Sequence, residues 1–358
     1  MKICFLAAAD SIHSYKWIKF FFDKKYEIVW ISNTPSIFEI PPKLTFYQLN
    51  ENDSKVKKIF KARRIISEQK PDILHIHYLG IYALIAVLSK VENIVSTPWG
   101  SDIIENKKSF LKKFIFKKIL RKTKLLTCDA YHMKDEILDF GFPVDKIHII
   151  NFGIDTKRFS KIQKPNSEIR NKFKFENEFV ILSLRNFEPV YDVENLINAA
   201  NILVKKFRNV RFLLFGKGTL KEDLVEKVEK LNLTKYILFP GFLNNDQLPD
   251  ALSAFNAYVS TSLSDAGISA STAEAMACEL PVVVTDTGEN NLWIEDGING
   301  FLVPESEPLV LASKLEKLIV DSNLNSIIGK KGRSTIVERN DYFVEMEKMN
   351  DLYKSLIK

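Results

Sequence analysis

The residues with the clearest chemical potential lie in the stretch 260–285, STSLSDAGISASTAEAMACELPVVVT. An apolar, β-branched run over 257–262 predicts a buried strand, the segment 264–267 breaks it, and 268–278, rich in Ala, Met and Glu, predicts a helix. Pro281 stops that helix, and Val282, Val283 and Val284 begin another buried strand. Such a unit leaves backbone N–H groups free around Gly267, Ile268 and Ser269, and a helix N-terminus of this kind suits a phosphate. Glu274 falls about two turns into that helix; an ordinary crossover with a solvated glutamate fits the same pattern. Arg185 ends a predicted strand over 179–185, where it can grip a diphosphate bidentately or pair with Glu188 or Asp192. Lys217 sits in the turn Phe215-Gly-Lys-Gly218 after the next strand. The chain has no Gly-Lys-Ser/Thr phosphate loop and no Gly-x-Gly-x-x-Gly, which disfavours ordinary nucleoside-triphosphate and nicotinamide binding.

The first half carries its own candidates: Ala9-Asp-Ser-Ile-His13, with Asp10 and His13; the pair His75 and His77; and Trp99-Gly-Ser-Asp102. His75 and His77 are two apart on a strand and share a face. A shared metal lacks a third ligand nearby, so His75 reads as a core histidine and His77, nearer the strand's carboxyl end, as the cleft candidate. Trp99 and Asp102 suit a packed turn and an aromatic-plus-carboxylate sugar site equally well.

Strand-like and helical runs alternate from end to end, which implies parallel sheets covered on both faces. Two doubly wound α/β domains follow, 1–165 and 166–341, parted at the polar, proline-bearing segment 161–167, with a last helix over 342–358. The 358 residues suffice for two ordinary domains, and 46% hydrophobic with 27% charged residues describes a soluble globular chain. The first apolar run is too short to cross a membrane. Three scattered cysteines argue for a cytoplasmic chain without a disulfide scaffold or metal cluster. Charge is divided unevenly: 29 Lys and Arg against 17 Asp and Glu through Pro165, then 22 against 28, so +12 is followed by −6. That imbalance points to an anionic partner for the first half alone. Its densest part is 107–124, KKSFLKKFIFKKILRKTK, with nine basic and no acidic residues. Phe110, Leu111, Phe114, Ile115, Ile119 and Leu120 recur at helical spacing there, as a helix on anionic lipid or one packed on its sheet would require. Trp17, Phe20, Phe21 and Phe22 among lysines suggest a second membrane patch. No nucleic-acid motif accompanies the charge.

Together these loops resemble the retaining glycosyltransferases of family 4. The resemblance rests chiefly on Glu274-Ala-Met-Ala-Cys278, Pro281-Val-Val, and Gly297-x-Asn-Gly-Phe-Leu-Val303. Supporting pieces are Pro71-Asp-Ile-Leu-His-Ile-His77, Trp99-Gly-Ser-Asp102, Asn151-Phe-Gly-Ile-Asp155 and Arg185. It implies the GT-B fold, two Rossmann-like parallel-sheet domains facing across a cleft, with the last helix returning to the first domain. By that likeness Glu274 holds the donor ribose, Arg185 neutralises the diphosphate with Lys217 as helper, and the Gly267 region offers amides. Either Asp265 substitutes for the family's acid and contacts the donor sugar, or that contact is missing, while Asp10, His13, His77, Trp99, Asp102 and His132 line the acceptor side. The implied partners are a nucleotide sugar, a glycan or lipid-linked acceptor and an anionic membrane surface, with no obligatory metal and no nucleic acid. The chain departs from the pattern in places: Ala266 stands where the family carries glutamate, and Val190, Tyr191 and Asp192 stand where its lysine is expected. Ala7-Ala-Ala-Asp-Ser11 replaces its glycine-rich first loop, and Trp99 stands where many members carry histidine. A sugar-nucleotide epimerase and a non-catalytic glycan- or lipid-surface binder are the alternatives.

Overall fold

The computed structural model describes residues 1–100, 102–103, 110–163, 167–265 and 267–357. The chain forms two compact units, Met1–Gly153 with Phe343–Lys358, and Ile154–Tyr342. In the first, β1 (Lys2–Leu6), β2 (Glu27–Ser32), β3 (Thr45–Gln48), β4 (Ile73–His77), β5 (Ile94–Thr97), β6 (Thr123–Cys128) and β7 (Ile147–Ile149) make one parallel sheet. Its order is β3-β2-β1-β4-β5-β6-β7. Strands β1, β2, β4 and β5 are almost wholly buried because helices cover both faces, which is why they read as continuous apolar runs. The Tyr342–Ile357 helix closes this unit: Tyr353 is fully buried against Phe21 and bonds the His75 ring, while buried Glu345 accepts from the Asn151 amide at 2.8 Å.

The second unit holds β8 (Phe179–Ser183), β9 (Val210–Phe215), β10 (Ile237–Gly241), β11 (Ala257–Ser260), β12 (Val282–Thr285) and β13 (Phe301–Val303), ordered β10-β9-β8-β11-β12-β13. The division falls at Gly153 and Ile154, earlier than the polar segment near 165 suggests. Ile154 and Phe159 are buried in the second unit's core, and the Ile154 backbone pairs with Asn340 at 2.8 Å and Tyr342 at 2.9 Å. Arg333 adds to the join by donating to the carbonyls of Thr156, Phe159 and Ala277. Lys164, Pro165 and Asn166 lie outside the described residues.

Candidate functional site

In the second sheet the strand order reverses between β8 and β11, and ligands of open α/β sheets collect beyond the strand carboxyl ends at such a reversal. Arg185 leaves β8 and Asp265 follows β11, and their side chains meet. Arg185 Nη2 donates to the Asp265 carboxylate and to the Ser262 hydroxyl, and the guanidinium lies 4.7 Å from the centre of the Tyr191 ring. Both recorded bonds leave from Nη2. Nε is buried without a partner among the described residues, so a strong donor remains for an anion. The two acids that the sequence offered as partners are engaged elsewhere. Glu188 accepts from Thr219 N at 3.0 Å and Oγ1 at 2.7 Å, and Asp192 accepts from Ser306 at 2.8 Å.

The glycine turn lies directly against this arginine's backbone. A Cβ on Gly216 would stand 2.5 Å from the Arg185 carbonyl oxygen, so only glycine permits the approach. Lys217 is exposed on the turn, while its carbonyl accepts from Phe187 N at 2.9 Å. Asp265 is placed from below: Gly288 has φ +57°, and a Cβ there would meet the Asp265 carbonyl at 1.7 Å. Burial raises the Asp265 carboxyl pKa despite Arg185 beside it. Ala266 lies outside the described residues.

The helix after Asp265 begins later than the sequence suggests. It spans Ala270–Ala277, with extended Ser269 as the capping residue accepting from Thr272 N. The free amides therefore belong to the first helical turn. Gly267 and Ile268 precede it, and Ser269 satisfies one amide itself. Glu274 lies little more than one turn in, half-buried between Thr272 and Ala273 on one side and Ala275, Met276 and Ala277 on the other, all of them buried.

In the first sheet the order reverses between β1 and β4. Asp10 is exposed there and accepts from Thr34 Oγ1 at 2.9 Å. His13 packs on Phe152 at 4.3 Å between ring centres and edge-on to Trp99 at 6.1 Å, and Trp99 meets Phe152 at 5.8 Å. Phe152 escaped the sequence reading as a site residue, although it lies inside the Asn151-Phe-Gly signature. His132 is exposed on the first turn of the Tyr131–Leu138 helix. Two expectations change. His77 is fully buried rather than open, because β4 is central; its Nδ1 lies 3.4 Å from Ser14 Oγ and its ring packs against Trp17. Burial, with His13 secondary, lowers its pKa to about 3; burial and Lys16 lower that of His13 to about 4. Asp102 is 2% exposed and turned inward, accepting from the amides of Leu79, Trp99 and Ile103. It shapes the loop that carries Trp99. Ser101 lies outside the described residues. His75 is the core histidine expected, bonded to Tyr353 and, at 2.6 Å, to Thr97.

Two family models match the chain, "Glycosyl transferase 4-like" over residues 2–130 and "Glycosyl transferases group 1" over 165–335. The chain belongs to the family 4 glycosyltransferases. This family 4 glycosyltransferase is 30% identical to the poly(ribitol-phosphate) alpha-N-acetylglucosaminyltransferase of Staphylococcus aureus, over 51% of the chain and 36% of that protein. The matched stretch thus spans about a third of that relative. It is 26% identical to the UDP-Gal:alpha-D-GlcNAc-diphosphoundecaprenol alpha-1,3-galactosyltransferase of Escherichia coli, over 84% of the chain and 80% of that protein. Anabaena Alr3699/HepE, crystallised with UDP, matches with a TM-score of 0.82 at 18% identity, covering 99% of this chain and all of that one. The shared fold is GT-B.

The basic stretch of this glycosyltransferase is helical over Phe110–Lys122. Phe116, Ile119 and Leu120 are buried in the first unit's core, so this part of the apolar stripe packs on protein; Phe114 is half exposed among lysines. Lys107 and Lys108 lie outside the described residues, as do the side chains of Phe110 and Leu111. The second patch is likewise interior: Trp17, Phe20 and Phe21 are buried, and Lys24 pairs with Glu347 on the last helix. Among the described residues no helix is long and apolar enough to cross a membrane, and no group of three or more potential ligands could hold a metal.

Proposed function

We propose that this chain is a retaining glycosyltransferase that moves a sugar from a nucleotide-diphosphate donor to a glycan or lipid-linked acceptor. One observation carries the reading: Arg185, at the strand-order reversal, is held by Asp265, Ser262 and Tyr191 with its Nε unfilled. Departure of a nucleoside diphosphate concentrates negative charge, and donors already in place stabilise it without reorganisation. Amides of the Ala270–Ala277 helix and exposed Lys217 supplement the arginine, and Glu274 holds the ribose. Asp265 anchors Arg185, a role distinct from touching the donor sugar. His13, Trp99 and Phe152 form an aromatic wall for the acceptor, with Asp10 and His132 as exposed polar groups. No obligatory metal takes part.

A lipid-linked acceptor is supported by the name of the E. coli relative, which pairs UDP-Gal with a diphosphoundecaprenol-linked sugar. Work on such an acceptor places the protein peripherally on the cytoplasmic face of the membrane. The exposed Lys113, Lys117, Lys118, Arg121 and Lys122 would then meet anionic headgroups. The test is a panel of UDP-, GDP- and ADP-sugars with a polyprenyl-diphosphate-linked sugar as acceptor. Arg185→Ala should lower turnover by about 10²–10³-fold with the fold retained. Unchanged turnover sinks the assignment, and donor conversion without any acceptor favours an epimerase instead.

A further inference from the structure

We infer that Tyr191 is a positioning residue for Arg185, a shelf that fixes the guanidinium plane so that its free edge meets the donor diphosphate. The inference rests on the proposed role of Arg185. The guanidinium carbon lies 4.7 Å from the Tyr191 ring centre. Stacking on a ring face orients a guanidinium while leaving its in-plane N–H groups free. A second carboxylate would consume those donors; a ring does not. Here Nη2 serves Ser262 and Asp265, whereas Nε is buried without a partner among the described residues.

The ring is itself firmly placed. The Pro189–Tyr191 turn is stitched to the segment after β11 by Leu263 N donating to Val190 O at 2.8 Å and by Thr261 Oγ1 donating to Tyr191 O at 2.8 Å. The same segment carries Ser262 and Asp265. Arrival of β8's arginine and β11's acid at one point therefore depends on this turn, and Tyr191 is the side chain it contributes. An uncharged ring also avoids the repulsion that a second cation at this position would exert on Arg185.

The experiment compares binding of nucleoside diphosphates (UDP, GDP and ADP) and of the matching nucleosides by calorimetry, on wild type, Tyr191→Phe, Tyr191→Leu and Arg185→Ala. Tyr191→Leu should weaken the tightest-binding diphosphate about three- to tenfold and leave its nucleoside unchanged. Tyr191→Phe, which keeps the ring, should stay within about twofold of wild type. A loose turn would weaken nucleoside and diphosphate together, so equal losses overturn the inference, as does wild-type diphosphate binding by Tyr191→Leu. If Arg185→Ala binds the diphosphate as wild type does, or none of the three diphosphates binds, the proposed role of Arg185 fails and takes this inference with it. A large loss in Arg185→Ala beside none in Tyr191→Leu overturns the shelf alone.

Discussion

Asp265→Asn separates an acid that anchors Arg185 from one that grips the donor sugar. Both side chains of the pair are only 10% exposed, and removing one partner of a buried pair commonly costs about 3–5 kcal/mol. Here the loss should be smaller. Burial raises the Asp265 carboxyl pKa even with Arg185 beside it, so desolvating this acid outweighs what the pairing returns. Asparagine keeps an acceptor oxygen, and Arg185 keeps Ser262 and the Tyr191 ring, so the expected cost is under about 1 kcal/mol. For a unit of this size that shifts the melting temperature by less than about 4 °C. Diphosphate binding should move the other way. A carboxylate beside the arginine that meets a bound phosphate repels that phosphate by roughly 1–2 kcal/mol in a partly wet site. Removing that charge should tighten UDP by about five- to thirtyfold. Differential scanning calorimetry reads the first quantity and titration with UDP the second. Unchanged or weaker UDP binding in Asp265→Asn would refute the charge argument, and a UDP-sugar affinity that falls while UDP binding does not would replace the anchoring role with a contact to the donor sugar.

Gly288→Ala should push the Asp265 carbonyl out of place, lowering stability by at least about 1 kcal/mol and reducing kcat/KM for the donor; unchanged kinetics count against the support described. His13 and His77 have pKa values lowered to about 4 and 3, so protons bind the unfolded chain first as pH falls below about 6.5. Stability is therefore complete above that value and declines toward pH 4, by about 2 kcal/mol per histidine between pH 6.5 and 5; equal denaturant midpoints at pH 7 and 5 would contradict this. Turnover should survive EDTA within about twofold, and a larger loss restored by magnesium would establish a metal requirement. Vesicle sedimentation should rise with anionic lipid content and vanish at about 1 M salt, because the buried Phe116 and Ile119 cannot enter the bilayer; equal binding to neutral and anionic vesicles would exclude the electrostatic contact.

The alternation of apolar and helical runs gave away two doubly wound units, since buried parallel strands leave nearly unbroken runs such as Val282, Val283 and Val284. The strand before Arg185 and the helix that carries Glu274 were legible as elements because composition and breakers mark them, but their ends were not: the strand stops at Ser183 and the helix starts at Ala270. What the sequence concealed was direction. Asp102 and His77 have the right types beside the right strands, yet both point inward, the first to satisfy backbone amides and the second because β4 is central. The stripe near 116–120 has the same spacing whether it meets lipid or its own sheet, and packing alone decides. Asp265 and Tyr191 converge on Arg185 across separations of 80 and 6 residues; no local pattern encodes the longer one.

The pairing of Ile154 with Asn340 and Tyr342 has a practical bearing on dissecting this protein. A fragment of the second half begun at residue 166, where composition invites the cut, would lose Ile154, whose backbone Asn340 and Tyr342 hold. It would also lose Phe159 from its core and strip Arg333 of two of its three carbonyls. The orphaned guanidinium and the opened core would together favour aggregation over folding. A fragment spanning 154–342 carries both ends of the join and should express as a folded domain.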